Sequence, residues 1–171
     1  MQLFILKDLS IITDQDKVNH RDAALQMSNL ILKNTFDIWD IMIAMISTCF
    51  KEPDESSCCI IHFCFTIFSN IMTLLSEEKE LESIMMKNDM LLANQLFPSL
   101  VDHVKECKKR CPHTTSIALK CICLLVQNSP ATRKYVTEQI CEFVKEAISV
   151  GKVRHSRLEE EGKATLAALE V

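Results

Sequence analysis

An all-α protein of stacked helices is the fold class that this sequence predicts, and three observations carry the prediction. Glycine occurs twice and proline four times in 171 residues, too few for the turns of a hairpin-rich β fold. Apolar residues return at helical spacing in segment after segment, as at Ile140, Val144 and Ile148. Residues 124–136 read as the end of one helix, a turn and an Arg-bearing start of the next. A similar helix end recurs on both sides at a repeat-like period, which points to an extended binding surface rather than a compact enzyme.

The elements follow in order. Residues 3–12 are apolar and short, and Thr13, Asp14 and Asp16 break them. Residues 19–33 carry Ala23, Met27, Leu30 and Ile31 on one stripe. Thr35 is placed to cap a helix over 36–50, whose apolar positions are dense enough for both faces to be covered. Pro53, Asp54, Ser56 and Ser57 form a turn and an N-cap. A helix over about 58–75 follows; its β-branched and aromatic content also suits a strand, but its length exceeds a usual strand. A short helix is expected over 80–86.

Asp89 opens a helix over 90–108 that Pro98 should kink or split. Residues 105–112 form a polar, basic loop, and Thr114 or Thr115 caps the helix that ends at Val126. Pro130 restarts the chain. Residues 137–150 are amphipathic, with Ile140, Cys141, Val144 and Ile148 inward, and Gly151 stands where a left-handed C-terminal residue belongs. The last helix spans 157–169, with Leu158, Thr165, Leu166 and Leu169 on one side. Leu124, Leu125, Ile140 and Val144 are expected in one buried layer on facing helices.

Composition bounds the function. Apolar residues make up 48% and charged residues 25%, enough apolar mass for a core in one domain or a run of small repeats. A net charge of −4 and a pI of about 5.7 supply no overall positive field for nucleic acid or an anionic membrane. The nine cysteines are odd in number and mostly sit in apolar helical text, so they read as reduced core side chains and imply a cytoplasmic or nuclear, intracellular protein. No secretory leader is read at the N-terminus, and no apolar run nears the roughly 20 residues that span a bilayer.

The repeat is visible in the numbering. Residues 121–126 align with 164–169 at an offset of 43, and 73–75 with 123–125 at an offset of 50, the surplus falling in the 105–113 loop. Over 116–150, Leu124, Leu125, Asn128, Arg133 and Val136 stand in helix-turn-helix order, and 157–171 opens a further unit. This pattern resembles the armadillo-type (HEAT-like) helical repeat family. The resemblance implies a right-handed α-solenoid of about three to four armadillo-like helical repeats over 1–171, with units at 13–56, 57–113, 114–154 and a partial 155–171. It further implies a protein–protein scaffold or adaptor that takes a peptide or helix along the concave surface formed by each unit's last helix. Asn94, as the stand-in for the family's inner-groove asparagines, together with His103, Glu142 and Lys145, is expected on that surface.

Other chemistry is sparse. His103, Cys107, Cys111 and His113, at spacings of four, four and two, have residue types that suit zinc, but structural zinc sites use tighter Cys pairs, Lys105, Lys108, Lys109 and Arg110 share the segment, and a solvated basic loop is the reading taken. Cys58, Cys59, His62 and Cys64 read as core in the same way. The two glycines, Gly151 and Gly162, cannot build a phosphate loop, and His20, His62, His103, His113 and His155 show no nucleophile–base arrangement. Glu77-Glu78 and Glu159 to Glu161 read as solvated faces. Met85, Met86 and Met90 read as core rather than as an adaptable binding patch. The chain is therefore read as non-enzymatic, without cofactor or resident metal. The alternative is a binder of nucleic acid or a phosphorylated ligand through Lys105, Lys108, Lys109 and Arg110. The apolar ends, 3–6 and 166–169, are expected to mark a piece cut from a longer array, the N-terminal end above all, or to mediate self-association.

Overall fold

The computed structural model describes residues 7–8, 10–11, 26, 36–51, 55–77, 89–90 and 92–170, and every regular element among them is a helix. The chain divides into two compact units, Met1–Leu81 and Glu82–Val171. The division falls within the 57–113 stretch marked out by the sequence alignment. The helix expected over 80–86, Thr35, the turn at Pro53 and Asp54, and most of 3–12 and 19–33 lie outside the described residues.

In the first unit α1 (Phe36–Lys51) packs on α2 (Glu55–Glu77). Met42, Ile43, Ile46 and Cys49 are buried, while Ile41 is 55% exposed. The dense apolar text therefore covers one face among these residues, not both. α2 buries Ile61, Cys64, Phe65, Ile67, Phe68, Ile71, Met72 and Leu74. Its Thr66 and Thr73 hydroxyls donate to the carbonyls of His62 (2.8 Å) and Ser69 (2.7 Å), which lets β-branched residues sit in a helix without an open hydrogen-bonding group. Asn70 Nδ2 donates to the Ser10 carbonyl at 3.1 Å, tying the early chain to α2.

One stretch of α2, Ser57–Leu74, is long and apolar enough by length and composition to cross a membrane, with a mean hydropathy of 1.7. The expectation that no apolar run approaches that length is thus corrected: His62, Thr66, Ser69 and Asn70 interrupt the run without lowering its average enough. Of this stretch, 56% is buried inside the protein, as in a core helix.

The second unit opens with one π turn, Leu92–Leu96, which buries Leu92, Ala93 and Leu96 and leads into α3 (Phe97–Cys107). Pro98 stands in the first turn of α3. It has no N–H for the carbonyl of Asn94, so the expected split falls here, as a wider turn followed by a fresh helix. α4 (Pro112–Asn128) is the most buried helix of this unit, from Thr114 to Val126. Pro112, not a threonine, starts it, and Thr115 Oγ1 donates back to the Cys111 carbonyl at 2.9 Å.

α5 (Pro130–Arg133) is a single turn capped by Ser129, whose Oγ accepts from Thr132 N at 2.9 Å. The Asp89 carboxylate also accepts from Ala131 N at 3.1 Å and from the Ser129 hydroxyl. α6 (Glu138–Arg154) and α7 (Ser156–Leu169) follow, joined at His155, whose Nδ1 accepts from Leu158 N at 3.3 Å.

α3 packs on α4, α4 on α7, α7 on α6, and α6 back on α3. Leu125 and Val144 are buried with Ile140, but Leu124 is half-exposed. α4 and α6 meet chiefly through α3 and α7, not as the facing pair expected from sequence. Gly151 is not a helix end. It lies inside α6, where an added Cβ would stand 2.4 Å from the backbone nitrogen of Glu159. Glycine is needed there for close helix approach, and Ala147 and Gly162 are also buried on these two helices.

Candidate functional site

A groove of about 790 Å³ lies where the last turns of α3 meet the second half of α6. Lys105, Glu106, Lys108 and Lys109 form one wall, and Glu146, Ser149, Val150, Val153 and Arg154 form the other. The cations complement the carbonyl ends of both helices. Lys108 is committed to structure: its Nζ donates to the Lys105 carbonyl at 2.6 Å, sits 2.9 Å from Glu146 and lies 6.0 Å from the Phe143 ring centroid. Lys105 Nζ is 3.3 Å from Glu106 and 5.9 Å from the same ring. Among the described residues Lys109, Arg110 and Arg154 have no ion-pair partner, and all three are exposed. Val153, at 78% exposure, is the most exposed large apolar side chain described.

Of the four residues expected on a binding surface only Glu142 and Lys145 come together, and none lies on α4 or α7. Asn94 is exposed in the π turn and accepts from the Tyr135 hydroxyl at 2.6 Å. His103 is 2% exposed, inside α3 beside Leu100 and Val104, which removes it from any surface. Glu142 and Lys145 are exposed on α6 and pair with each other at 2.8 Å. The carboxylate hydrogen bond is the main cause that raises the Lys145 pKa. Of the expected basic loop, Lys105 belongs to α3 itself, and Lys108 to Arg110 form the turn after it.

The candidate metal set also disperses. His103 is inside; Cys107 and Cys111 are half-buried; His113 is exposed and its ring lies 6.0 Å from that of His155. Burial first, then Arg157 and His155, lower the His113 pKa. Among the described residues no group of three or more His, Cys, Asp or Glu side chains is placed to hold a metal. All nine cysteines are thiols. Burial pushes Cys64 up to about 12 and raises Cys121 and Cys123 as well, the opposite of what a nucleophile needs.

A second concavity of about 500 Å³ lies at the ends of α4 and α7, lined by Val126, Gln127, Arg133, Val136, Ala164 and Leu169 among others. Arg133 is fastened there by Nε to the Val126 carbonyl (2.6 Å) and by a terminal nitrogen to the Gln127 carbonyl (2.8 Å). Of the apolar 166–169 end, Leu169 is buried and Leu166 and Ala168 are half-buried; residues 3–6 lie outside the described residues.

Sequence reasoning missed the α6 wall of the larger groove. Ending the helix at Gly151 removed Val153 and Arg154 from it. Continued through Gly151, positions 146, 149, 150 and 153 fall on one face by helical spacing alone. No protein-family model, no curated protein and no solved structure matches the chain.

Proposed function

We propose that this chain is a non-enzymatic protein-binding module, an adaptor or scaffold, whose groove between α3 and α6 receives a peptide or helix of another protein. The observation that carries the reading is the groove itself: about 790 Å³, with Val150 and the exposed Val153 in a cationic setting. A concave surface that pairs apolar area with a few fixed charges suits peptide recognition.

We also read α3–α4 and α6–α7 as two successive stacked units of an armadillo-like solenoid. In support, α3 meets α6 and α4 meets α7, so helices of the same rank are neighbours. The single turn α5 precedes the second pair as a linker would. On this reading the groove lies between the first helices of the pairs, not along the last ones as the family resemblance implies.

Selection of peptides from a random displayed library on the folded chain, with backbone NMR to map the binders, tests the function. Binders should shift the amides of Lys109, Val150 and Val153. Val153→Glu should abolish the shifts without changing the melting temperature. Selected peptides that map elsewhere, or that tolerate Val153→Glu, would refute the groove.

A second reading, a binder of nucleic acid or phosphorylated ligand through Lys105, Lys108, Lys109 and Arg110, has the clustering of four cations in its favour. Against it, Lys108 is engaged, and the exposed carboxylates of Glu106 and Glu146 stand among the cations. A steep fall of affinity with salt would support it.

A further inference from the structure

We infer that the segment taken by the α3–α6 groove is acidic and amphipathic, with carboxylates that meet Lys109 and Arg154 and an apolar side chain that rests on Val150 and Val153. The inference rests on the reading of this groove as a protein-binding site and names the class of its occupant.

The charges of the groove fall into two sets. Lys105 and Lys108 are paired with Glu106 and Glu146 at 3.3 and 2.9 Å, and both amines lie about 6 Å from the Phe143 ring. They are neutralised by the protein itself. Lys109 and Arg154, one on each wall, have no ion-pair partner among the described residues, and Arg110 extends the positive edge beyond the groove. A partner that covers the groove must therefore bring separated negative charges, or bury part of two cations without compensation.

Charge spacing selects among anions. Glu106 and Glu146 keep side-chain exposures of 63% and 59%. A dense polyanion laid along the groove would run over both carboxylates and be repelled. A peptide can set single carboxylates at Lys109 and Arg154 and keep its other charges away from Glu106 and Glu146.

The apolar half of the occupant follows from α6. Val150 and Val153 are three apart, on one face of the helix, and Val153 is 78% exposed. Covering it removes apolar area from water, which gives a peptide a source of affinity that a small anion lacks. Ser149, exposed on the same wall, has its hydroxyl turned back to the Lys145 carbonyl at 3.0 Å.

The test uses the full chain and three labelled peptides of equal length, built from Glu and Leu, Gln and Leu, or Lys and Leu in one amphipathic pattern. Binding is read by fluorescence anisotropy and mapped by backbone NMR. The acidic peptide should bind at the groove roughly tenfold more tightly than the neutral one. That preference should vanish in Lys109→Glu/Arg154→Glu and fall in Ser149→Glu, with melting temperatures unchanged. Val153→Ser should weaken all three peptides.

Equal binding of the neutral or basic peptide in the groove overturns the inference and leaves the groove as a protein site. Failure of all three to shift groove amides overturns both. Displacement of the acidic peptide by polyphosphate or single-stranded RNA at lower concentration assigns the groove to dense anions and also overturns the inference.

Discussion

Gly151→Ala separates two physical arguments by sign. In a helix interior alanine is preferred to glycine by about 1 kcal/mol, so propensity alone predicts a more stable protein. The structure predicts the reverse. The new Cβ would lie 2.4 Å from Glu159 N, 2.9 Å from Glu159 Cα and 3.0 Å from the Leu158 carbonyl carbon. Ordinary contact begins near 3.5 Å, so α7 must retreat by about 1 Å. All three neighbours are backbone, and no side chain can rotate away. Overpacking of this kind costs about 1–3 kcal/mol; its upper end, less the propensity gain, leaves a net loss near 2 kcal/mol. For a unit of this size that lowers the melting temperature by about 10 °C. Thermal and urea unfolding followed by circular dichroism give the measurement. Gly162→Ala is the matched control, because its Cβ meets the Ile148 side chain at 2.6 Å, which can shift, so the loss should be smaller. Adding Ile148→Ala should cost less than the two single changes summed. An unchanged or raised melting temperature for Gly151→Ala would refute the close approach of α6 and α7.

Leu125→Ala, at a position with no exposure, should destabilise by about 2–5 kcal/mol; a melt equal to the parent would displace Leu125 from the core. Asp89→Ala removes the acceptor of Ser129 Oγ and Ala131 N and should cost about 1–3 kcal/mol, read by urea titration. In a time course with an aromatic disulfide reagent, Cys59, which is exposed, should react first and Cys64 and Cys121 only on unfolding; early labelling of either would contradict their burial. Cys64 stays protonated up to about 12 against 9.0 for an ordinary thiol, so the folded state holds a proton that the unfolded chain loses, and stability should fall as pH rises from 9.0 towards 12. His113 has the opposite sign. Its pKa lies below 6.5, the unfolded chain takes the proton first, and stability should fall as pH drops through that window, less steeply in His113→Gln.

Helix identity was legible because it rests on local chemistry. Pro130 opens a helix where it was read to restart the chain, and the stripe Ile140, Val144 and Ile148 fixes the inner face of α6. What was not legible depends on partners distant in sequence. A glycine serves a left-handed turn or a close contact equally well, and only the position of Glu159 tells which one Gly151 serves. Lys108 reads as one more surface charge until Glu146 is brought beside it from another helix. His103 looks like a polar residue awaiting a ligand, yet it adjoins the stripe Phe97, Leu100 and Val104 and is carried inward with it. The groove wall on α6 was hidden by one misplaced helix end.

The Asp89 clasp on α5 also sets an order in which the second unit comes apart. Its two hydrogen bonds join positions 40 and 42 residues apart, whereas α6 and α7 are adjacent in the chain and held through Gly151 and Gly162. Closing the longer loop costs more entropy, and that contact is therefore the cheaper one to lose. Sub-global opening should begin by release of the chain ahead of α3, with α4, α6 and α7 still assembled behind it. Amide hydrogens at the π turn and at Ala131 would then exchange together, well before those of Leu125 and Val144.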